Sequence, residues 1–269
     1  MTNILVAYLI SVYDDRRNLS NFIQHYKKYK SGCSHELLIC FKNFQSNDEI
    51  FKSKELTNLK VIKFFDNNDF NDYDWGSYLR IAKLYNDRKI LFMNCHSYPI
   101  IDNWLNIFVK NYKENTLIGS SGSYESQVNT SFSKLLNINF LKSIIYAISN
   151  FLDFPLFPNP HIRSNCFMIS SKDFQGLKLT KKYKYKKKAT WINESGRMGM
   201  SNQLKRKKFN LIVVNSEGNI FKYLEWKKSE TYSFKEQSKL IISDKFSRIY
   251  NNADDYKKKL IRKNVWGIN

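Results

Sequence analysis

The chain is poor in several things, and each scarcity excludes a class of protein. Its four cysteines, Cys33, Cys40, Cys95 and Cys166, lie scattered over 269 residues with no CxxC pair. That argues against a zinc knuckle or a disulfide framework and for a reducing, cytoplasmic compartment. Neither GxGxxG nor GxxxxGK(S/T) occurs among its 9 glycines, so a dinucleotide-binding turn and a P-loop are both disfavoured. No run reaches the roughly 20 apolar residues that a bilayer crossing needs. Residues 138–157 come nearest, but Lys142 and Asp153 interrupt them and Pro155 breaks them, which leaves contact with a membrane surface as the remaining option. The first ten residues lack the basic stretch and small-residue cleavage site of a secretory signal. Acidic residues are scarce as well: Asp plus Glu number 24 against 44 Lys plus Arg, for a formal net charge of +20. Such an excess first suggests nucleic acid. Arginine does the bidentate and stacking work at phosphates and bases, yet only 9 of the 44 are arginine. With 30 Asn and only 5 Ala beside 35 Lys, the composition is of the kind an AT-rich genome imposes, and much of the charge reads as background.

What is present is a core. Hydrophobic residues make up 42% and aromatic residues 16%, enough for one substantial core or two small ones. Ile4 to Ser11 is a continuous apolar run, followed by Asp14-Asp15 and by Leu19, Phe22, Ile23 and Tyr26 at helical spacing, which predicts strand, loop and helix. Glu36 to Phe41 reads as a second strand, residues 47–56 as a polar helix and Leu59 to Phe65 as a third strand. A helix over Trp75 to Tyr85, a strand over Lys89 to Met93 ending on Asn94-Cys95-His96, a helix over Trp104 to Val109 and a strand at Leu117 to Ser120 follow. The second half predicts an amphipathic helix over 140–152, a loop at Pro155 to Pro160 and one strand from His161 to Ile169. The lysine run Lys181 to Lys188 then leads to a helix starting around Glu194 and running to about Lys208, and to a strand at Asn210 to Val214. Leu240 to Ser243 reads as a short strand or turn, and Asp254 to Arg262 as a helix. Alternating strands and helices imply parallel βαβ units in a three-layer α/β sheet, with the ligand site beyond the carboxyl ends of the strands. Ser11/Asp14, Lys42/Asn43, Asp66 and Asn94/His96 occupy those ends. No internal repeat or clean linker appears, so residues 1–225 read as one domain and 226–269 as an extension packed on it.

The order of pieces resembles a nucleotide-sugar glycosyltransferase of the GT-A fold, similar to family 2 enzymes of bacterial surface-polysaccharide synthesis such as O-antigen or capsule. Three stretches carry the resemblance over nearly the whole chain. Asp74-Trp75-Gly76-Ser77-Tyr78-Leu79-Arg80 resembles the helix start such enzymes place beside the nucleotide. Ile90 to Pro99 with Asp102-Asn103-Trp104-Leu105 sits where the family has an apolar strand, an Asp-x-Asp motif and a Trp-Leu helix. Trp191-Ile192-Asn193-Glu194-Ser195-Gly196, followed by a basic helix and Leu211 to Val214, is similar to the acidic motif carrying the catalytic base. Gly119 to Ser126 and Pro158 to Asn165 resemble a bacterial subgroup. The resemblance implies a GT-A-like, Rossmann-related mixed sheet, mostly parallel and flanked by helices. It also implies sugar transfer from a nucleotide-sugar donor to a growing surface glycan, polysaccharide or lipid-linked oligosaccharide, with a carboxylate base and inversion. Asn94-Cys95-His96 departs from Asp-x-Asp and loses both carboxylates that would hold Mg²⁺ or Mn²⁺. A metal is therefore disfavoured, with His96 either a single ligand or a direct donor to the β-phosphate. Lys42-Asn43 stands where an acidic residue would read uracil, so the donor base does not carry over.

Inverting transfer needs a carboxylate for the acceptor hydroxyl and positive charge for the departing diphosphate. Glu194 is the candidate base, and its plain alternative is a capping glutamate at a helix N-terminus. Asp66, Asp74, Trp75, Gly76, Arg80, Asn94 and His96 are the donor-side candidates; for Asp74 and Trp75 the alternative is an N-cap and a core indole. Ser123, Tyr124, Glu125, His161, Arg163, Asn165 and Arg197 are the diphosphate or acceptor candidates. His161, Arg163 and Asn165 alternate along the expected strand and would project one way, or would simply mark a surface strand. Two further readings stay open: a basic domain binding nucleic acid or anionic glycan without chemistry, and a transferase-like domain without activity. Location on the inner face of the cytoplasmic membrane fits a lipid-linked acceptor.

Overall fold

A computed structural model describes residues 3–45, 48, 56, 59–67, 72–128, 148–180 and 186–267. In chain order its first half runs β1 (Ile4–Ser11), α1 (Arg17–Lys28), β2 (Glu36–Lys42), β3 (Ile62–Asp66), α2 (Tyr73–Leu84), β4 (Lys89–Met93), β5 (Tyr98–Pro99), α3 (Trp104–Asn111), β6 (Thr116–Gly119) and β7 (Gly122–Ser123). The second half runs β8 (His161–Ile162), β9 (Cys166–Ser170), α4 (Ser171–Gln175), α5 (Lys188–Ser195), α6 (Met200–Arg206), β10 (Asn210–Val214), β11 (Ile220–Lys222), β12 (Ile242–Ser243), α7 (Lys245–Asn251) and α8 (Asp255–Trp266). One eight-stranded sheet takes the order β11-β10-β6-β9-β4-β1-β2-β3. Its strands are parallel except β9, antiparallel to β4 and β6, and β11, antiparallel to β10.

The continuous apolar character of β1 follows from burial on both faces. Ile4, Val6, Tyr8 and Ile10 point to one side with Leu19, Phe22 and Ile23 of α1 and Trp104, Leu105 and Phe108 of α3. Leu5, Ala7 and Leu9 point to the other with Trp75, Tyr78, Ile81 and Ala82 of α2, Phe174 of α4 and Leu204 of α6. A period of two thus builds three layers, the mixed, mostly parallel sheet with helices on both faces that the resemblance implies. Trp226 and Trp266 join the second core, and β12 pairs with β5, so the later part of the chain packs against this body.

Several expectations change. The expected strand from His161 to Ile169 is two strands. His161 and Ile162 pair with β7 in a separate ribbon, the chain turns at 163–165, and Cys166 to Ser170 enters the main sheet. The turn forms because its polar groups find partners off the ladder: Arg163 donates its N–H to Ser121 O at 3.2 Å, and Asn165 O accepts from Asn94 N–H at 3.1 Å. The alternation that would aim His161, Arg163 and Asn165 one way therefore does not hold. The expected helix from Glu194 to Lys208 is likewise two helices, broken at Gly196–Gly199, where the backbone doubles back so closely that a Cβ on Gly196 would lie 2.6 Å from Ile192 O. Glu194 consequently sits in the last turn of α5 and not at a helix start, which removes the capping alternative. Strand β3 begins at Ile62, later than the apolar pattern suggests. Most of the polar helix expected over 47–56, the lysine run at 181–185 and residues 140–147 lie outside the described residues.

Candidate functional site

Register places charge at the carboxyl edge of the sheet. Lys42 and Asp66 are partners across β2 and β3, and both are buried. The first turn of α2 closes over them. Lys42 Nζ reaches Asp72, donates to Tyr73 O at 2.9 Å and Ser77 Oγ at 3.1 Å, and lies 3.8 Å from Asp66 Oδ2. Arg80 grips Asp66 with Nε at 2.7 Å and Nη2 at 2.6 Å, and grips Asp72 with Nη1 at 2.6 Å. Burial opposes both charged forms, but the hydrogen bonds win: they hold Arg80 above its usual range and Asp72 below the usual carboxylate range. Gly76 is bare because a Cβ there would fall 1.7 Å from an Asp72 carboxylate oxygen. Asp66, Gly76 and Arg80 thus belong to a charge cluster that neutralises itself.

Beside it lies a second group with a different balance. Asp14, just past β1, accepts the Ser11 N–H at 2.8 Å. Asp74 on α2 is half-buried, and its carboxyl is pushed up to about 6, first by burial and then by Asp14, with Glu194 and Asp72 adding and Lys42 opposing. Glu194 reaches the same edge from α5: its Oε1 accepts both the Ser164 N–H at 2.6 Å and the Ser164 hydroxyl at 2.9 Å. The loop after β4 supplies Cys95 and His96. Asn94 shapes that loop, its Oδ1 accepting from His96 N–H at 3.1 Å and Ser97 Oγ at 2.8 Å. Burial lowers the His96 pKa, with Lys245 and Arg248 pressing the same way and Asp14 and Asp244 opposing.

Residues late in the chain complete the wall. Arg163 is buried, donates Nη1 to Asp244 Oδ2 at 2.6 Å and to Ser121 Oγ at 3.2 Å, and lies 3.7 Å over the Tyr232 ring. Burial works against its charge, and the fields of Asp244, Tyr232 and Glu194 restore it. Asp244 also caps α7 through Ser247 N–H at 2.7 Å, and Arg248 of that helix donates to His96 O at 3.1 Å. Asn165 joins the same network through Ser121 and Ser120.

The remaining candidates fall elsewhere. Trp75 is turned into the core, its ring parallel to Phe174 at 6.2 Å. Ser123 and Tyr124 serve the ribbon and the extension: Tyr124 packs edge-on to Trp266 at 5.0 Å and bonds Tyr223 O. His161 bonds Asn159 O at 2.8 Å in a buried position. Glu125 is half-buried and lies within the field felt by Tyr232. Arg197 faces outward, donating to Phe151 O at 3.0 Å. Sequence reasoning passed over Asp72, Cys95, Asp244, Lys245 and Arg248 as site residues, and it placed Asp14 at a strand end without a role. Asp14 and Cys95 carried a usable signal, their positions three and two residues past buried parallel strands.

One carboxylate oxygen of Asp14, Sγ of Cys95 and a ring nitrogen of His96 all lie within 4.8 Å of one another. A neutral imidazole and a carboxylate are ready ligands, while burial pushes the Cys95 thiol up and keeps it protonated. This donor set fits one borderline divalent ion such as Zn²⁺ better than Mg²⁺ or Mn²⁺, which prefer oxygen.

No protein-family model matches the chain, and no curated protein matches it. Solved structures do. A mannosyltransferase from Pyrobaculum calidifontis, solved with GDP-Man and Mn²⁺, superposes at a TM-score of 0.41 with 8% identity, over 65% of this chain and 46% of its own. The chain thus spans less than half the length of that protein. The galactosyltransferase LgtC, in complex with donor and acceptor sugar analogues, superposes at 0.43 with 7% identity over 79% of this chain and 73% of its own. The apo form of the glycosyltransferase GlyE of Streptococcus pneumoniae superposes at 0.43 with 9% identity over 77% and 44%. Likeness at this level assigns no residue and no substrate.

Proposed function

We propose that the chain is a glycosyltransferase that moves a sugar from a nucleotide-sugar donor to a growing surface glycan, a polysaccharide or a lipid-linked oligosaccharide. In this reading it works with inversion at the inner face of the cytoplasmic membrane. The observation that supports this best is the placement of Glu194. A carboxylate at the sheet's carboxyl edge has both of its protein hydrogen bonds on Oε1, and among the described residues none falls on Oε2. Pinning one oxygen fixes the group, and the other is left to accept the proton of an acceptor hydroxyl. As the acceptor hydroxyl oxygen, giving its proton to Glu194, attacks the anomeric carbon, the bond to the diphosphate breaks and the nucleoside diphosphate leaves.

Asp74, at the same edge, is the donor-side partner for a ribose or base hydroxyl. Three carboxylates facing a diphosphate would repel it, so positive charge must be present. Lys245 and Arg248 approach His96 from α7, and Arg163 keeps its charge under burial. A divalent ion held by Asp14 and His96 would add positive charge against the phosphates when bound.

Incubation with a panel of sugar nucleotides, reading nucleotide release, tests this reading. Release that persists in full in Glu194→Gln would sink the base assignment. No release from any donor, together with nucleic-acid binding that weakens steeply with salt, would favour the basic binding domain instead.

A further inference from the structure

The helical turn 148–153 is amphipathic in the reverse sense. Ile148, Phe151 and Leu152 share one face at spacings of three and four, and they are 56%, 48% and 64% exposed. The opposite face is buried: Asn150 is closed off, and Phe154, just past the turn, packs on Val128 and Ile192. The outward apolar surface continues to Leu156 and to Met198, both about half exposed. Arg197 ties these parts together, its guanidinium 5.8 Å from the Phe151 ring, and Arg206 donates to Arg197 O at 2.8 Å and to Met198 Sδ at 2.8 Å. Single exposed apolar residues are ordinary, whereas a contiguous group rimmed by polar ones marks a contact surface.

The chain on either side of it in sequence is strongly basic. Residues 126–208 hold sixteen Lys and Arg against three acids, Asp153, Asp173 and Glu194, an excess of thirteen out of the chain's +20 in under a third of its length. Of those acids, Asp153 is paired with Lys188 at 2.8 Å and Glu194 is bonded to Ser164. Lys186, Lys187, Arg197 and Arg206 stand exposed around the apolar face. Apolar side chains ringed by cations match a surface that is apolar below and anionic above.

We propose that this face docks on an anionic bilayer surface, with Phe151 and Leu152 entering the headgroup region and the basic rim meeting lipid phosphates. Helix α5 then links membrane to chemistry. Lys188 at its start bonds Ser149 and Asp153 of the docking segment, and Glu194 lies six residues along, roughly 9 Å at 1.5 Å per residue. This deepens the proposed function, since a lipid-linked acceptor would present its sugar at that height.

Co-sedimentation of the full chain with vesicles tests the inference without turnover. Binding to phosphatidylcholine vesicles containing phosphatidylglycerol is expected, with weak binding to phosphatidylcholine alone and loss at high salt. The double variant Phe151→Glu/Leu152→Glu is expected to lower the partition coefficient about tenfold or more while its circular dichroism and melting stay those of the parent. Wild-type protein left in the supernatant with anionic vesicles would overturn the proposal, as would a correctly folded double variant that binds equally well. So would a wild-type dimer on gel filtration that the variant dissolves without any vesicle binding, because the face would then join two copies. Nucleotide release in solution is read separately. Vesicle binding without release leaves the surface standing and removes the transferase reading, and release without vesicle binding does the reverse.

Discussion

Lys42, Asp66, Asp72 and Arg80 sit at the ends of β2 and β3, while Asp14, Asp74 and Glu194 converge at the ends of β1 and β4 and across from them. Both groups are carboxylate-rich, and both lie on the carboxyl edge of one sheet. In the first, two cations answer two acids through hydrogen bonds at 2.6–3.1 Å, and the result is a closed knot that fixes α2 to the sheet. In the second, Lys42 is already committed to Asp72 and Arg163 to Asp244, and Asp74 is raised instead of lowered. A charge whose partner the fold supplies is part of the fold. A charge whose partner is missing costs stability, and such sites persist where a ligand or reaction uses them. The same residue types, a few ångströms apart, thus divide into structure and candidate chemistry.

The sharpest test of that division is Glu194→Gln. Removal of the base should lower turnover by about 10²–10⁴-fold with the melting temperature unchanged; loss of stability in its place would put Glu194 with the structural group. Lys42→Met attacks the other side. Leaving Asp66 and Asp72 with Arg80 alone should cost about 3–5 kcal/mol in urea unfolding, and a variant as stable as the parent would mean that the knot is not closed. Asp74→Asn separates the two by sign. The folded carboxyl titrates at about 6 against an ordinary 3.8, so the folded state binds the proton more tightly, and stability drains away as pH rises from about 4 to 6. The variant should be more stable than the parent by about 2 kcal/mol above pH 6, discounted for its partial exposure, with the gap closing below pH 4 and nucleotide affinity reduced. The smallest effect concerns metal: Zn²⁺ at several times its Kd should stabilise the wild type by about 1 kcal/mol. Asp14→Asn and His96→Ala should abolish that gain; an equal shift in both variants would place the ion elsewhere.

Much of this was legible in the residues. Continuous apolar runs such as Ile4 to Ile10 have few ways to be satisfied other than burial on both faces, so the alternation of strands and helices follows from pattern alone. Strand ends could be named, and with them Asp66, Asn94 and His96. The extended-strand reading of His161 to Ile169 failed because period two describes only a chain that stays on the ladder, and Ser121, Asn94 and Glu194 draw residues 163–165 off it. Trp75 read equally well as a stacking platform or a core ring, because local spacing carries no information about Phe167 and Phe174, some ninety residues later.

By itself, then, the sequence determined the layered α/β sheet, the polar edge where ligands meet such sheets, and the concentration of positive charge in residues 126–208. Those are properties of neighbours along the chain. Only the tertiary structure decided which charges cancel and which stay open, since Arg80 with Asp66, Glu194 with Ser164 and Arg163 with Asp244 are separated by 14, 30 and 81 residues. Electrostatics acts through distance in space, and no periodicity in the chain encodes it.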